Sequence, residues 1–180
     1  MLGQTENAEY VPIFEKGMGD DQPYSVLGAS LEALSKANPE AAVAAAKNLE
    51  NDDNEGVVLA LAELYANNPE PAASSWFAKR AKKVDNMAAL RYYELYVGYL
   101  TDLNDPALLG EAAQNFQAVA LDEKASLWRR FSNTRAISEL RNFYREAANK
   151  AKADELTKML TDIREKEADP TLKLYYGMFE

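Results

Sequence analysis

Asp21-Gln22-Pro23-Tyr24-Ser25-Val26-Leu27-Gly28-Ala29-Ser30-Leu31-Glu32 and Asp52-Asp53-Asn54-Glu55-Gly56-Val57-Val58-Leu59-Ala60-Leu61-Ala62-Glu63 stand 31 residues apart and read alike. An acidic start, an apolar pair, a small residue and a closing glutamate recur in the same order. A weaker third copy begins at Asp122, followed by Trp128, Phe131, Ile137 and Leu140. Such a repeat is one helix pair whose apolar face only a neighbouring pair can bury. Stacked pairs make a solenoid; a closed bundle is the alternative.

Composition agrees that the units are helical. The 180 residues hold 30 Ala and 21 Leu against 8 Val, 3 Ile and 6 Thr. Ala and Leu lose little entropy in a helix, whereas the β-branched residues that suit strands are scarce. Prolines then mark the boundaries. Pro39, Pro71, Pro106 and Pro170 each open an apolar-periodic segment, where a missing N–H costs nothing. Asn38, Asp105 and Asp169 supply a capping side chain just before three of them. Pro69 ends a segment, because the residue before a proline is pushed out of the α region.

These signals predict an all-α chain of about eight or nine helices. They are Pro23–Ala37, Pro39–Glu50, Asn54–Asn67, Pro71–Val84, Asn86–Leu103, Pro106–Leu121, Lys124–Lys150 with a break near Ser132-Asn133, Ala151–Ala168 and Pro170–Phe179. Short connections make successive helices antiparallel neighbours, and the repeat makes the expected architecture a HEAT-like α-α superhelix over residues 21–180. Residues 1–20 lack helical periodicity and hold Gly3, Gly17, Gly19 and Pro12. They read as a linker or arm from an upstream domain.

The sequence has no Cys and no His. This chain therefore offers no disulfide, thiol nucleophile, Ser-His-Asp triad or HExxH zinc site. With 20 basic and 29 acidic residues its formal charge is −9, which disfavours nucleic acid and anionic membranes as partners. Met1 to Glu6 show neither the basic start nor the apolar core of a signal peptide. The compartment stays open.

Three clusters are candidate sites. Glu50-Asn51-Asp52-Asp53-Asn54-Glu55-Gly56 resembles a calcium loop only in part: with Asn51 first, the closing glutamate position falls on Ala62. A capping role before a helix fits better. Tyr92, Tyr96 and Tyr99 stand at i, i+4, i+7 beside Tyr93, so three rings share one stripe. They are either packing between helix layers or an aromatic groove for a peptide. In Trp128-Arg129-Arg130-Phe131, with Arg135, two large rings bracket two guanidinium groups. These arginines either meet carboxylates of a neighbouring domain or peptide end, or reach solvent from a packed aromatic face.

Tyr24 through Leu34, Pro39-Glu40-Ala41, Leu49-Glu50-Asn51-Asp52-Asp53 and Val57-Val58 through Glu63-Leu64-Tyr65 resemble the HEAT-like C-terminal region of zinc aminopeptidases of the aminopeptidase N family. Trp128-Arg129-Arg130-Phe131 through Glu139-Leu140-Arg141 extend the resemblance, which spans roughly residues 20–150. It implies a non-catalytic helical domain that encloses the active-site chamber of an upstream catalytic domain of the same polypeptide and limits which peptides enter. The zinc of such a parent enzyme would be held upstream, since none of the family's ligand motif stands in this sequence. The rival expectation is a free-standing helical-repeat adaptor that binds a protein or peptide in its groove.

Overall fold

A computed structural model of the chain describes residues 8–19 and 22–179. Among them every regular element is helical, and there is no strand. A 3-10 turn at Ala8–Tyr10 leads into α1 (Val11–Lys16); then follow α2 (Tyr24–Ala37), α3 (Pro39–Ala46), α4 (Glu55–Asn67), α5 (Ser74–Ala81), α6 (Ala88–Leu103), α7 (Pro106–Ala120), α8 (Leu127–Glu146), α9 (Lys150–Lys166) and α10 (Pro170–Gly177). Each of the segments read from the sequence corresponds to one of α2–α10. The starts of α2 and α4, at Tyr24 and Glu55, keep the 31-residue offset of the repeat. No helix among the described residues is long and apolar enough to cross a membrane.

The capping residues act as expected. Asn38 Oδ1 accepts from Ala41 N at 3.1 Å, Asp105 Oδ1 from Ala107 N at 2.8 Å and Asp169 Oδ1 from Thr171 N at 2.8 Å, each with proline next in the chain. Ahead of α4, Asn54 Oδ1 accepts from Gly56 N and Val57 N, while Asp52 Oδ1 holds Asn54 N at 2.7 Å. The acidic stretch 50–56 is thus built as a cap.

The chain falls into two compact units, Met1–Trp76 and Phe77–Glu180, where the sequence reading takes 21–180 as one domain. In the first, Leu27, Leu31 and Leu34 of α2 are buried, as are Ala42 of α3 and Val57, Val58, Leu61 and Leu64 of α4. Tyr65 Oη donates to Glu50 Oε1 at 2.8 Å and meets Trp76 edge-on at 5.3 Å; the Trp76 indole N–H donates to Glu50 O. In the second unit, α8 packs against α6, α7 and α9. Ala153, Leu156, Leu160 and Ile163 turn one stripe of α9 inward, and Leu172 and Tyr176 do so on α10.

Two expectations are corrected. Of the segment 1–20, residues 1–7 and 20 lie outside the described ones, but the remainder is no featureless arm. α1 packs on α2 with Phe14 buried, and a Cβ at Gly17 would come within 2.0 Å of Ser30 Oγ, so the turn after α1 lies hard against α2. A six-residue helix is too short to show periodicity and is held by packing alone. The break near Ser132-Asn133 is likewise absent, because α8 runs through it. Asn133 Nδ2 donates to Arg129 O and Thr134 Oγ1 to Arg130 O, so their polar groups bond to the preceding turn of the same helix.

α8 ends in a Schellman motif: Asn149 N donates to Tyr144 O and Ala148 N to Arg145 O. Ala148 carries the positive φ, 55°, that glycine adopts freely. Ala148 is exposed, so no packing is lost on substitution. Ala148→Gly is expected to stabilise the protein by about 1 kcal/mol, read as a raised urea midpoint at unchanged slope.

Candidate functional site

The tyrosine stripe is interior. Tyr92 and Tyr99 are fully buried and Tyr96 nearly so. Phe77 lies flat on Tyr96 at 4.8 Å and packs on Tyr92 and Tyr99, while Phe116 of α7 meets Tyr93 and Tyr96 edge-on at 5.6 and 5.5 Å. Tyr92 Oη donates to Phe77 O at 2.6 Å and Tyr93 Oη to Ala81 O at 3.0 Å. The stripe knits α5, α6 and α7 together and presents no groove wall; that candidate reading is corrected to packing.

The arginines are engaged within the chain. Arg130 Nη1 donates to both carboxylate oxygens of Glu167, at 2.7 and 2.8 Å, and Glu167, 7% exposed, also accepts from Asp169 N. The pair ties α8 to the turn between α9 and α10. A cavity of about 410 Å³ beside it is lined by Leu121, Ile163 and Ala168, with the carboxylate already satisfied from Arg130. Arg135 Nε meets Glu139 Oε1 one turn on, at 2.8 Å; burial raises the Glu139 carboxyl's pKa against the pull of that guanidinium. Arg129 lies partly buried, where its charge reaches the Tyr93 hydroxyl. The expected partners on a neighbouring domain or peptide end give way, for Arg130 and Arg135, to partners in this chain.

A cleft of about 490 Å³ in the first unit offers the open space that those clusters lack. One wall is the α2 stripe Gly28, Glu32, Ser35 and Lys36; the other is the α4 stripe Gly56, Ala60, Glu63 and Asn67, with Leu31, Leu59 and Leu64 between. Helical spacing puts each set on one face. Gly28, Glu32 and Lys36 correspond in the repeat to Leu59, Glu63 and Asn67, so equivalent positions of the two copies line one cleft. Glycine inside a helix costs about 1 kcal/mol relative to alanine. Yet a Cβ at Gly28 would meet nothing within 4 Å, so packing within the chain does not require glycine there. Glu32 Oε1 holds Lys36 Nζ at 2.6 Å on the exposed rim.

Sequence reasoning passed over this cleft because it used the repeat only for register. Its visible signal was a mid-helix glycine four residues before a glutamate that the next copy repeats. Comparison with protein-family models, with curated proteins and with solved structures finds no match for the chain.

Two measurements check the buried groups. Burial pushes Tyr176 up to about 12 and raises Tyr92, Tyr93, Tyr96 and Tyr144; Tyr65 is raised by burial and by its bond to Glu50. The unfolded chain loses these protons near pH 10 and the folded chain later, so stability is full below about pH 10 and falls above it. Absorbance at 295 nm should show these six tyrosines ionising late in buffer and together with the rest in urea. Arg130→Met, which strands Glu167, should cost about 3 kcal/mol in urea unfolding, and adding Glu167→Gln should return part of it.

Proposed function

We propose that this chain is a non-catalytic helical module that works by binding, taking a peptide segment of a partner into the cleft between α2 and α4. The observation that supports it is Gly28: a helix-weakening residue, unneeded by its own chain, on the wall of an open cleft with leucines at its base. Volumes of about 300–1,000 Å³ are usual for ligand sites, and missing side chains let a partner's backbone come close. Because Gly28 and Leu59 hold one repeat position, the cleft follows from stacking two copies of one unit, as in helical-repeat proteins that bind along their stacked faces.

A narrower form of this reading makes the chain the HEAT-like C-terminal domain of a zinc aminopeptidase, screening peptides before an upstream catalytic domain. What supports it is the resemblance of residues 24–34, 39–41, 49–53, 57–65 and 128–141, together with helix starts that keep the repeat offset. No His or Cys stands in this sequence, so the chain fits none of that family's histidine zinc ligands and no catalytic step is assigned to it. An HExxH segment upstream in the same reading frame would support this form; a stop codon before Met1 would favour the adaptor.

Selection from a displayed random-peptide library tests the binding function. Enrichment is expected on the full chain and should be lost on Gly28→Trp, whose side chain fills the cleft while the urea midpoint is not lowered. Enrichment indifferent to that substitution, or none at all, would overturn the proposal.

A further inference from the structure

The two units differ sharply in charge. Residues 1–76 hold thirteen acidic and three basic side chains, a net −10; residues 77–180 hold sixteen acidic and seventeen basic, a net +1. The deficit of the whole chain therefore belongs to the first unit, the one that carries the cleft. Charge of one sign concentrated in this way destabilises the unit by self-repulsion and raises the local concentration of oppositely charged ligands.

The cleft repeats the asymmetry at close range. Glu32 on one wall and Glu63 on the other are both exposed, and the one base among the lining residues, Lys36, is already bonded to Glu32. Leu31 and Leu64 are buried behind them, with Leu59 partly exposed. An incoming carboxylate would meet glutamates and a lysine in use. An incoming ammonium or guanidinium would meet a carboxylate on either side, that of Glu32 shared with Lys36, and the partly exposed Leu59 beneath for its neighbours. Along the axis, Gly28 to Lys36 spans about 12 Å and Gly56 to Asn67 about 16 Å, room for about two to three turns of a docked helix.

Resting on the binding function proposed above, we propose that the occupant of this cleft is a cationic amphipathic segment of a partner protein: apolar side chains at helical spacing enter between α2 and α4, and Lys or Arg beside them pairs with Glu32 and Glu63. Glycine at 28 and 56 and alanine at 60 let the segment's backbone approach, and the two carboxylates select its charge. The first unit of a second copy is a poor occupant, since it would bring another net −10 to the same face.

Three synthetic peptides of about four turns test this, with Leu at i, i+3, i+4, i+7 throughout and Lys, Gln or Glu elsewhere. Fluorescence anisotropy with the full chain should rank Lys above Gln above Glu, with the Lys peptide about fivefold or more tighter than the Gln peptide and weakening as salt rises. Glu32→Gln with Glu63→Gln should remove that advantage. Glu9→Gln with Glu15→Gln, the same charge change at residues that neither line the cleft nor adjoin one that does, should leave most of it, and Gly28→Trp should abolish binding. A Gln or Glu peptide that binds as tightly and is still blocked by Gly28→Trp would overturn the cationic occupant and leave the cleft's binding function standing. Lys-peptide binding that ignores Gly28→Trp, or falls equally with either glutamate pair, is general attraction to an acidic protein and overturns the inference. No binding by any of the three overturns the cleft's binding function as well.

Discussion

The packing of α2 against α4 is the constraint from which the functional reading follows. Helices of 14 and 13 residues are marginal alone in water. What holds them is burial of Leu27, Leu31 and Leu34 on one and Val57, Val58, Leu61 and Leu64 on the other, each side chain contributing about 1.5–3 kcal/mol when fully removed from water. Equivalent positions of a repeated sequence thereby line one cleft, and the glutamates at those positions come to share its rim. Had the repeat not kept its register, Glu32 and Glu63 would be two carboxylates among twenty-nine.

The second unit is organised differently. Its interior is aromatic, with Phe77 and Phe116 bridging the tyrosines of α6, and polar along α8, where Ser132, Asn133 and Thr134 are all buried. Such an interior needs its polar groups bonded; the back-bonds of Asn133 Nδ2 and Thr134 Oγ1 and the Arg130–Glu167 pair supply part of this, while Ser132 Oγ and Asn133 Oδ1 are buried without a hydrogen bond. Its net charge is close to zero. The chain thus separates a unit close to charge balance from one with a net charge of −10.

Local features were legible in the sequence and distant ones were not. A cap needs only a side chain and the next three residues, so Asn38, Asp105 and Asp169 could be read as helix starts before any coordinates. The tyrosine stripe was legible as a stripe, but periodicity reports which residues share a face, not whether another layer covers it; Phe77 and Phe116 decide that. Arg130 and Glu167 stand 37 residues apart, and no local pattern couples them. α1 escaped notice because six residues give no period to detect. The cleft escaped because its width depends on side chains that are missing, at Gly28 and Gly56.

Backbone amide shifts of the isotope-labelled chain, recorded as the Lys-bearing peptide is added, test most directly whether the cleft between α2 and α4 is where this protein meets its partner. Changes concentrated in residues 28–36 and 56–68, saturating together, are the expected result. Saturating changes that centre on the second unit, or that scatter over every acidic stretch without saturating, would contradict it.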